Sequence, residues 1–417
     1  MNKQYTFIII LLSFIAPTKS IVGATEPNYF SLAYTYLQEG RVDDAIAAYQ
    51  ALLQQMPNTV PAIYNMGYAL KMRGEVPAAI ACYKKAIALD PNYDAAQFAL
   101  GHAYLHNGDF TAGWKQHERY LQQSGKNAPE LRALLKNNSI AGKTVLLVPE
   151  GGLGDTINFI RYAQLLKEEG AHVIAQIQKP LVPLLSRCPF IDQIVPSGSP
   201  RPAHDAWSTL MSLPAVFNSD EDTIPKNIPY IFPPETVVSR WKERLAHDKN
   251  FKIGICWQAD VFNDSSRLPV ARRGIPLEKL YPLADISGVS IYSLQKFDGT
   301  EQLKTIPATC QITCFDESTF DITHGAFMDT AAVMQHLDLV ISVDTAISHL
   351  AGALGIPIWL LLPYSTDWRW IAHRTDSPWY PTMRIFKQSA PFDWDTVMSD
   401  LLLELIERVQ CALKTKS

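Results

Sequence analysis

Two short segments of this 417-residue chain carry the residue types that group-transfer chemistry needs. The first is GGLGDT at 151–156, a glycine-rich turn ending in Asp155, a carboxylate able to take a proton from a hydroxyl. The second is VDTAISH at 343–349, in which His349 lies four residues after Thr345 and five after Asp344. On a helix that spacing turns His349 toward the same space as the two preceding polar residues. A polar turn between a buried strand and a helix offers backbone N–H groups and the positive helix end, which is where a diphosphate binds. An ordinary strand–helix junction with Asp344 as its cap is the competing reading, and on this segment alone the two stand level.

These groups need elements to position them. Residues 337–343 (LDLVISV) read as an aliphatic, β-branched strand, and an alanine- and leucine-rich helix follows. Residues 144–148 read as a second such strand, and a helix is predicted from about 155 to 169, with Asn158 and Tyr162 on the face of Asp155. Gly151, Gly152 and Gly154 permit positive φ and close approach of the backbone, so Gly152 and Gly154 are candidate substrate contacts. The turn matches neither a dinucleotide fingerprint with its acidic ribose partner nor a P-loop, since no Gly-Lys-Ser/Thr follows.

Together the two segments resemble the heptosyltransferase family of glycosyltransferases and its tetratricopeptide-fused bacterial relatives. The matching pieces are Gly154-Asp155 and the run from Val343 to Leu350 with Ala353-Leu354, and the resemblance covers roughly residue 144 to the C-terminus. It implies Asp155 as catalytic base and a nucleotide-sugar donor held at Asp344, Thr345, Ala346 and His349. It also implies a GT-B pair of doubly wound α/β domains, working without a metal or any cofactor beyond the donor. A basic residue near 272–273 meets the donor phosphates in the family, which points to Arg273. Heptosyltransferases proper tend to have glycine where this chain has Ala346. GICWQA (254–259), YSLQK (292–296) and DWRW (367–370) are features of the fused relatives, so heptose as the donor sugar is in doubt. A looser similarity extends to the eukaryotic O-linked N-acetylglucosamine transferase, which shares the two-part plan.

Ahead of this region lies an internal repeat. Gly40, Gly74 and Gly108 are each 34 residues apart, the tetratricopeptide period. Ala45, Ala79 and Gly113 keep that spacing, as do Tyr49, Tyr83 and His117, and Pro57 and Pro91 close the first two units. One unit cannot bury its apolar face, so three in register over 26–124 predict a helical solenoid. The third unit has drifted to GDFTAGWKQHERYL, as suits an end repeat docking onto the next domain. Removing 26–124 is expected to leave a domain that binds donor but no longer works on a macromolecular acceptor.

Composition agrees with this division. A hydrophobic content of 47% supplies buried cores, and a net charge of −4 with 19% charged residues argues against a nucleic-acid partner. Proline-rich IPKNIPYIFPPE (224–235) reads as an extended linker, placing α/β halves at 140–230 (acceptor side) and 236–413 (donor side). Strands are predicted near Val145, Val173 and Ile194, then near Ile253, Ile291, Ile312, Val340 and Ile358, with an amphipathic helix closing the chain at 394–413.

Gln295 and Lys296 end a predicted strand, at the edge where ligands gather, and are candidates for reading the base or phosphate. Trp368, within an aromatic cluster, is a candidate for stacking on sugar or base, with packing as the default. The Asp-x-Asp of SDED (219–222) reads as a solvated acidic loop, and the six scattered cysteines read as buried free thiols. Residues 1–24 have the layout of a secretory signal peptide, which points to export or membrane association. Dependence on a nucleotide sugar argues instead for the cytoplasm. The expected activity is sugar transfer from a nucleotide sugar to a hydroxyl of a protein or glycan, with the repeats recruiting the acceptor. The alternative is an adaptor carrying a catalytically silent transferase fold.

Overall fold

The computed structural model describes residues 28–123, 129–260 and 268–416. The segment predicted as a signal peptide lies outside them. Among the described residues no helix is long and apolar enough to cross a membrane.

Six helices form the solenoid: α1 (Tyr29–Gln38), α2 (Val42–Gln55), α3 (Val60–Met72), α4 (Val76–Leu89), α5 (Asp94–His106) and α6 (Phe110–Gln123). The repeating glycines end the first helix of each pair at positive φ, 76° at Gly40, 90° at Gly74 and 80° at Gly108, where a side chain would be strained. The repeating small residues let paired helices touch: a Cβ on Gly113 would stand 2.5 Å from Leu105 Cδ2. Tyr49, Tyr64 and Tyr83 fill the space between pairs and are buried.

After α7 (Pro129–Lys136) come two parallel sheets. The first holds β1 (Thr144–Val148), β2 (His172–Ile177), β3 (Gln193–Pro196) and β4 (Ala206–Thr209) in the order β3-β2-β1-β4. Between β1 and β2 lie α8 (Leu153–Phe159) and α9 (Ala163–Glu168). The second holds β5 (Phe251–Cys256), β6 (Val289–Ser293), β7 (Ile312–Thr313), β8 (Leu339–Val343), β9 (Ile358–Leu362) and β10 (Met383–Lys387) in the order β10-β9-β8-β5-β6-β7. With it go α10 (Glu235–Leu245), α11 (Met328–Met334), α12 (Ala346–Ala353) and α13 (Trp394–Lys416). The architecture is the expected one: a tetratricopeptide solenoid followed by a GT-B-like pair of doubly wound α/β units. Sequence periodicity did not reveal β4 and β10, which are short and flanked by polar and proline residues.

The strand order reverses beside β1 in one sheet and between β8 and β5 in the other. Ligands bind at the carboxyl edge of such switch points. Asp155 follows β1 and Asp344 follows β8, so the fold delivers both candidate segments to those edges.

Two expectations need correction. The helix predicted from 155 to 169 is broken into α8, a 3₁₀ turn (Ile160–Tyr162) and α9. At the break, Arg161 Nε donates to the Asn158 carbonyl at 2.7 Å, an acceptor that a continuous helix would also use. The solenoid is also not a detachable module. Leu105, Phe110 and Trp114 belong to the core of the α/β region, while Leu268 and Val270 belong to the core of the solenoid. His106 Nε2 pairs with Thr366 Oγ1 at 3.1 Å, and Trp114 Nε1 donates to the Ser219 carbonyl at 2.9 Å. Deletion would expose those surfaces. Of the cysteines, Cys314 and Cys411 are exposed rather than buried: Cys314 follows the edge strand β7 and Cys411 lies near the end of α13.

Candidate active site

The helices that follow β1 and β8 meet N-terminus to N-terminus across the cleft between the sheets. Gly154 makes this possible: a Cβ there would stand 2.7 Å from His349 Cδ2 and 3.5 Å from the Ala346 Cα. Gly154 and Ala346 therefore serve the approach of one helix to the other. Gly152 caps α8 with its N–H, which donates to Asp155 Oδ2 at 2.6 Å. Gly151, at φ 83°, is equally constrained, since a Cβ would lie 2.2 Å from the same oxygen.

Asp155 Oδ1 forms an ion pair with Arg369 Nη2. Arg369 is buried, and its Nη1 also meets Asp367 Oδ1 at 2.8 Å. Burial pulls its pKa down, but the Asp155 and Asp367 carboxylates outweigh that and hold it above the ordinary guanidinium value. Its ring neighbours are Trp368 at 4.5 Å and Phe159 at 5.2 Å. Within DWRW, then, the arginine reaches the site. Trp368 is 2% exposed and packs on Trp114 (5.5 Å) and His102 (5.8 Å) of the solenoid.

In the turn before α12, Thr345 Oγ1 accepts from the Ile347 N–H at 3.2 Å and caps the helix. Asp344 Oδ1 lies 3.8 Å from His349 Nε2, and His349 Nδ1 pairs with Tyr380 Oη at 2.9 Å. Tyr380 Oη donates to Asn158 Oδ1 at 3.2 Å. Burial first, then the charges of Arg369 and Arg161, push the His349 pKa well below normal, so the ring is neutral at physiological pH.

A buried network behind this pair joins the halves. Arg161 donates to Asn158 Oδ1 (3.0 Å), to Tyr230 Oη (2.9 Å) and to the Trp379 carbonyl. Arg161, Tyr230 and Arg369 were not singled out from sequence, and Tyr380 entered only as a member of the aromatic cluster around Trp368. The available signal was an arginine flanked by apolar and aromatic residues in each of two runs, FIRYA and WRWIA.

Arg273 is half-buried, and its charge bears on the His349 ring. Gln295 and Lys296 are committed to the protein itself. Gln295 Oε1 accepts from the Trp257 and Gln258 N–H groups, both at 3.0 Å, and its Nε2 donates to the Gln258 and Asp298 carbonyls at 2.9 and 2.8 Å. Lys296 Nζ donates to the Phe320 carbonyl at 2.6 Å. In the SDED loop, Asp220 Oδ1 accepts from the Asp222 and Thr223 N–H groups at 3.0 and 2.9 Å, which makes it a turn former.

Comparison with known proteins fits this layout. Residues 28–59 and 69–108 match tetratricopeptide-repeat models, and residues 300–374 match the model of glycosyltransferase family 9 (heptosyltransferase). That last span contains Asp344, Thr345, His349 and Arg369, whereas Asp155 precedes it. Protein FlbA of Caulobacter vibrioides is 24% identical over 310 residues, 69% of this chain and 50% of its own length. The chain thus spans about half of that relative. Among solved structures, a family 9 glycosyl transferase from Veillonella parvula aligns with TM-score 0.44 and 13% identity over 60% of this chain and 87% of its own. The ADP-heptose lipopolysaccharide heptosyltransferase II of E. coli gives 0.41 and 13% over 64% and 99%. The Thermobaculum terrenum O-GlcNAc transferase gives 0.29 and 12% over 100% and 94%. The chain carries tetratricopeptide repeats and a heptosyltransferase-like domain.

Proposed function

We propose that this chain is a glycosyltransferase that moves a sugar from a nucleotide-sugar donor to a hydroxyl of a protein or glycan acceptor, without a metal, and that its solenoid recruits the acceptor. The observation that carries the reading is the meeting of two switch-point turns. A carboxylate from one half (Asp155) and a capped helix start from the other (Thr345, Ala346) are brought together by the Gly154–His349 contact.

Each chemical need has a group at hand. Asp155 takes the proton of the acceptor hydroxyl as the new glycosidic bond forms at the anomeric carbon. The departing nucleoside diphosphate carries the bonding electrons away, and the N–H groups and dipole of α12 stabilise it together with Arg273. The neutral His349 ring and the Asp344 carboxylate beside it meet a hydroxyl of the donor. Arg369 holds the Asp155 carboxylate in place and releases it when the acceptor enters. Packing of the two halves on each other keeps water from the donor.

The same ion pair favours a second reading. Both Asp155 oxygens are engaged, one by Gly152 and one by Arg369, as they would be in an adaptor whose transferase fold is silent. A panel of nucleotide sugars, followed by thermal shift and by release of nucleoside diphosphate, tests the two together. A ligand at about 100 times its Kd adds roughly 2.7 kcal/mol to stability. The transferase reading expects one class of donor to shift the melt and to turn over when acceptor is supplied. Binding without turnover favours the adaptor.

A further inference from the structure

Phe297 is 85% exposed and sits at φ 62°, in the left-handed region that phenylalanine avoids. Phe327 and Phe392 share that conformation, but Phe327 packs against the core and Phe392 lies against Gly40. The turn that presents Phe297 is firmly held. Gln295 Nε2 donates to the Asp298 carbonyl at 2.8 Å, Thr300 Oγ1 donates to the Phe297 carbonyl at 2.7 Å, and the Gly299 N–H donates to Glu301 Oε2 at 2.9 Å. A strained backbone and an open aromatic ring are both unfavourable, and a fold retains them together where the ring has work to do.

Its place says what that work is. Phe297 follows β6 at the carboxyl edge, and β8, β5 and β6 are consecutive neighbours. At about 4.8 Å per strand, the end of β6 lies roughly 10 Å from the turn that ends β8. A chain of contacts bridges the gap: Gln295 Oε1 to Cys256 Sγ at 3.3 Å, then Cys256 Sγ to Thr345 Oγ1 at 3.9 Å. With a diphosphate on the β8 turn, a ribose spans the end of β5 and the base arrives over β6.

We propose that Phe297 is the stacking surface for the nucleobase, and that the donor half reads the base by its face. This rests on the reading of the Asp344–Thr345 turn as a nucleoside-diphosphate site. The side chains able to read a base edge, Gln295 and Lys296, are spent on backbone groups of the protein. Stacking tolerates any base, so binding follows ring area, purine before pyrimidine, without sharp selection.

Calorimetry of the full chain with ADP, GDP, UDP and inorganic pyrophosphate tests this, using wild type, Phe297→Ala, Phe297→Trp and Phe297→Gly. Loss of the ring should weaken all three nucleotides by roughly 5- to 150-fold and leave pyrophosphate unchanged, while tryptophan keeps the affinity. Phe297→Gly should melt at or above the wild-type temperature, because glycine accepts the conformation, yet bind nucleotide as poorly as the alanine variant. Unchanged nucleotide affinity in Phe297→Ala overturns the proposal. So does a wild-type preference for one base beyond roughly 100-fold, the scale of edge recognition by hydrogen bonds. A wild type that binds pyrophosphate and nucleotides equally overturns the base subsite alone, and one that binds neither overturns the nucleotide reading beneath it.

Discussion

Gly154 of the first α/β half lies against His349 of the second, so closely that a Cβ on the glycine would stand 2.7 Å from the imidazole Cδ2. The contact sets the spacing between Asp155 and the Asp344–Thr345 turn. Gly154→Ala should therefore push α8 and α12 apart, costing about 1–3 kcal/mol by overpacking. Urea denaturation measures the loss. A variant of wild-type stability would mean that the helices have slack there.

Arg369 pairs with Asp155 and bridges that residue to Asp367. Arg369→Met leaves two carboxylates facing each other without their partner. The expected destabilisation is about 3–5 kcal/mol, as for other broken buried pairs. Denaturant midpoints check it, and Arg369→Lys should recover only part, because an ammonium cannot span both carboxylates in one plane.

Stability should decline in mild acid. Burial lowers the pKa of His102 to about 3 and of His117 to about 4, and both face the tryptophans that join solenoid to transferase. The unfolded chain takes up these protons near pH 6.5 while the folded chain does not. Their contribution is thus complete above about pH 6.5 and is lost progressively as pH falls toward 4 and 3. Melting temperature against pH measures the slope, which should flatten between pH 6.5 and 4 in His117→Asn.

Removing residues 28–123 should yield an α/β fragment that aggregates or melts far below the full chain. Phe110, Trp114 and Leu105 leave its core and Trp368 loses its cover. Solubility and melting of the fragment check this. A monomeric fragment of full stability would show that the shared core contributes little.

The repeats and both strand–turn–helix segments were legible because hydrophobic period and residue spacing are local signals. The breaks were not. Where a predicted helix breaks, Arg161 bonds to a carbonyl three residues away and to partners such as Trp379, 218 residues on. The pairing of Asp155 with Arg369 spans 214 residues, and no local pattern announces it. Side-chain commitments were equally hidden: Gln295, Lys296 and Trp368 have the chemistry of ligand contacts, but the fold uses them to hold a loop, a carbonyl and a domain junction.

In the proposed reaction Asp155 removes a proton during sugar transfer. Asparagine at that position can still accept from the Gly152 N–H while it removes the base, and because its amide cannot also pair with Arg369, the melting temperature of Asp155→Asn is measured beside its activity. Donor affinity by calorimetry and transfer of labelled sugar by the same preparation decide the matter. Donor affinity should be unchanged and transfer reduced by roughly 10²–10⁴. Transfer at the wild-type rate by Asp155→Asn would contradict that role.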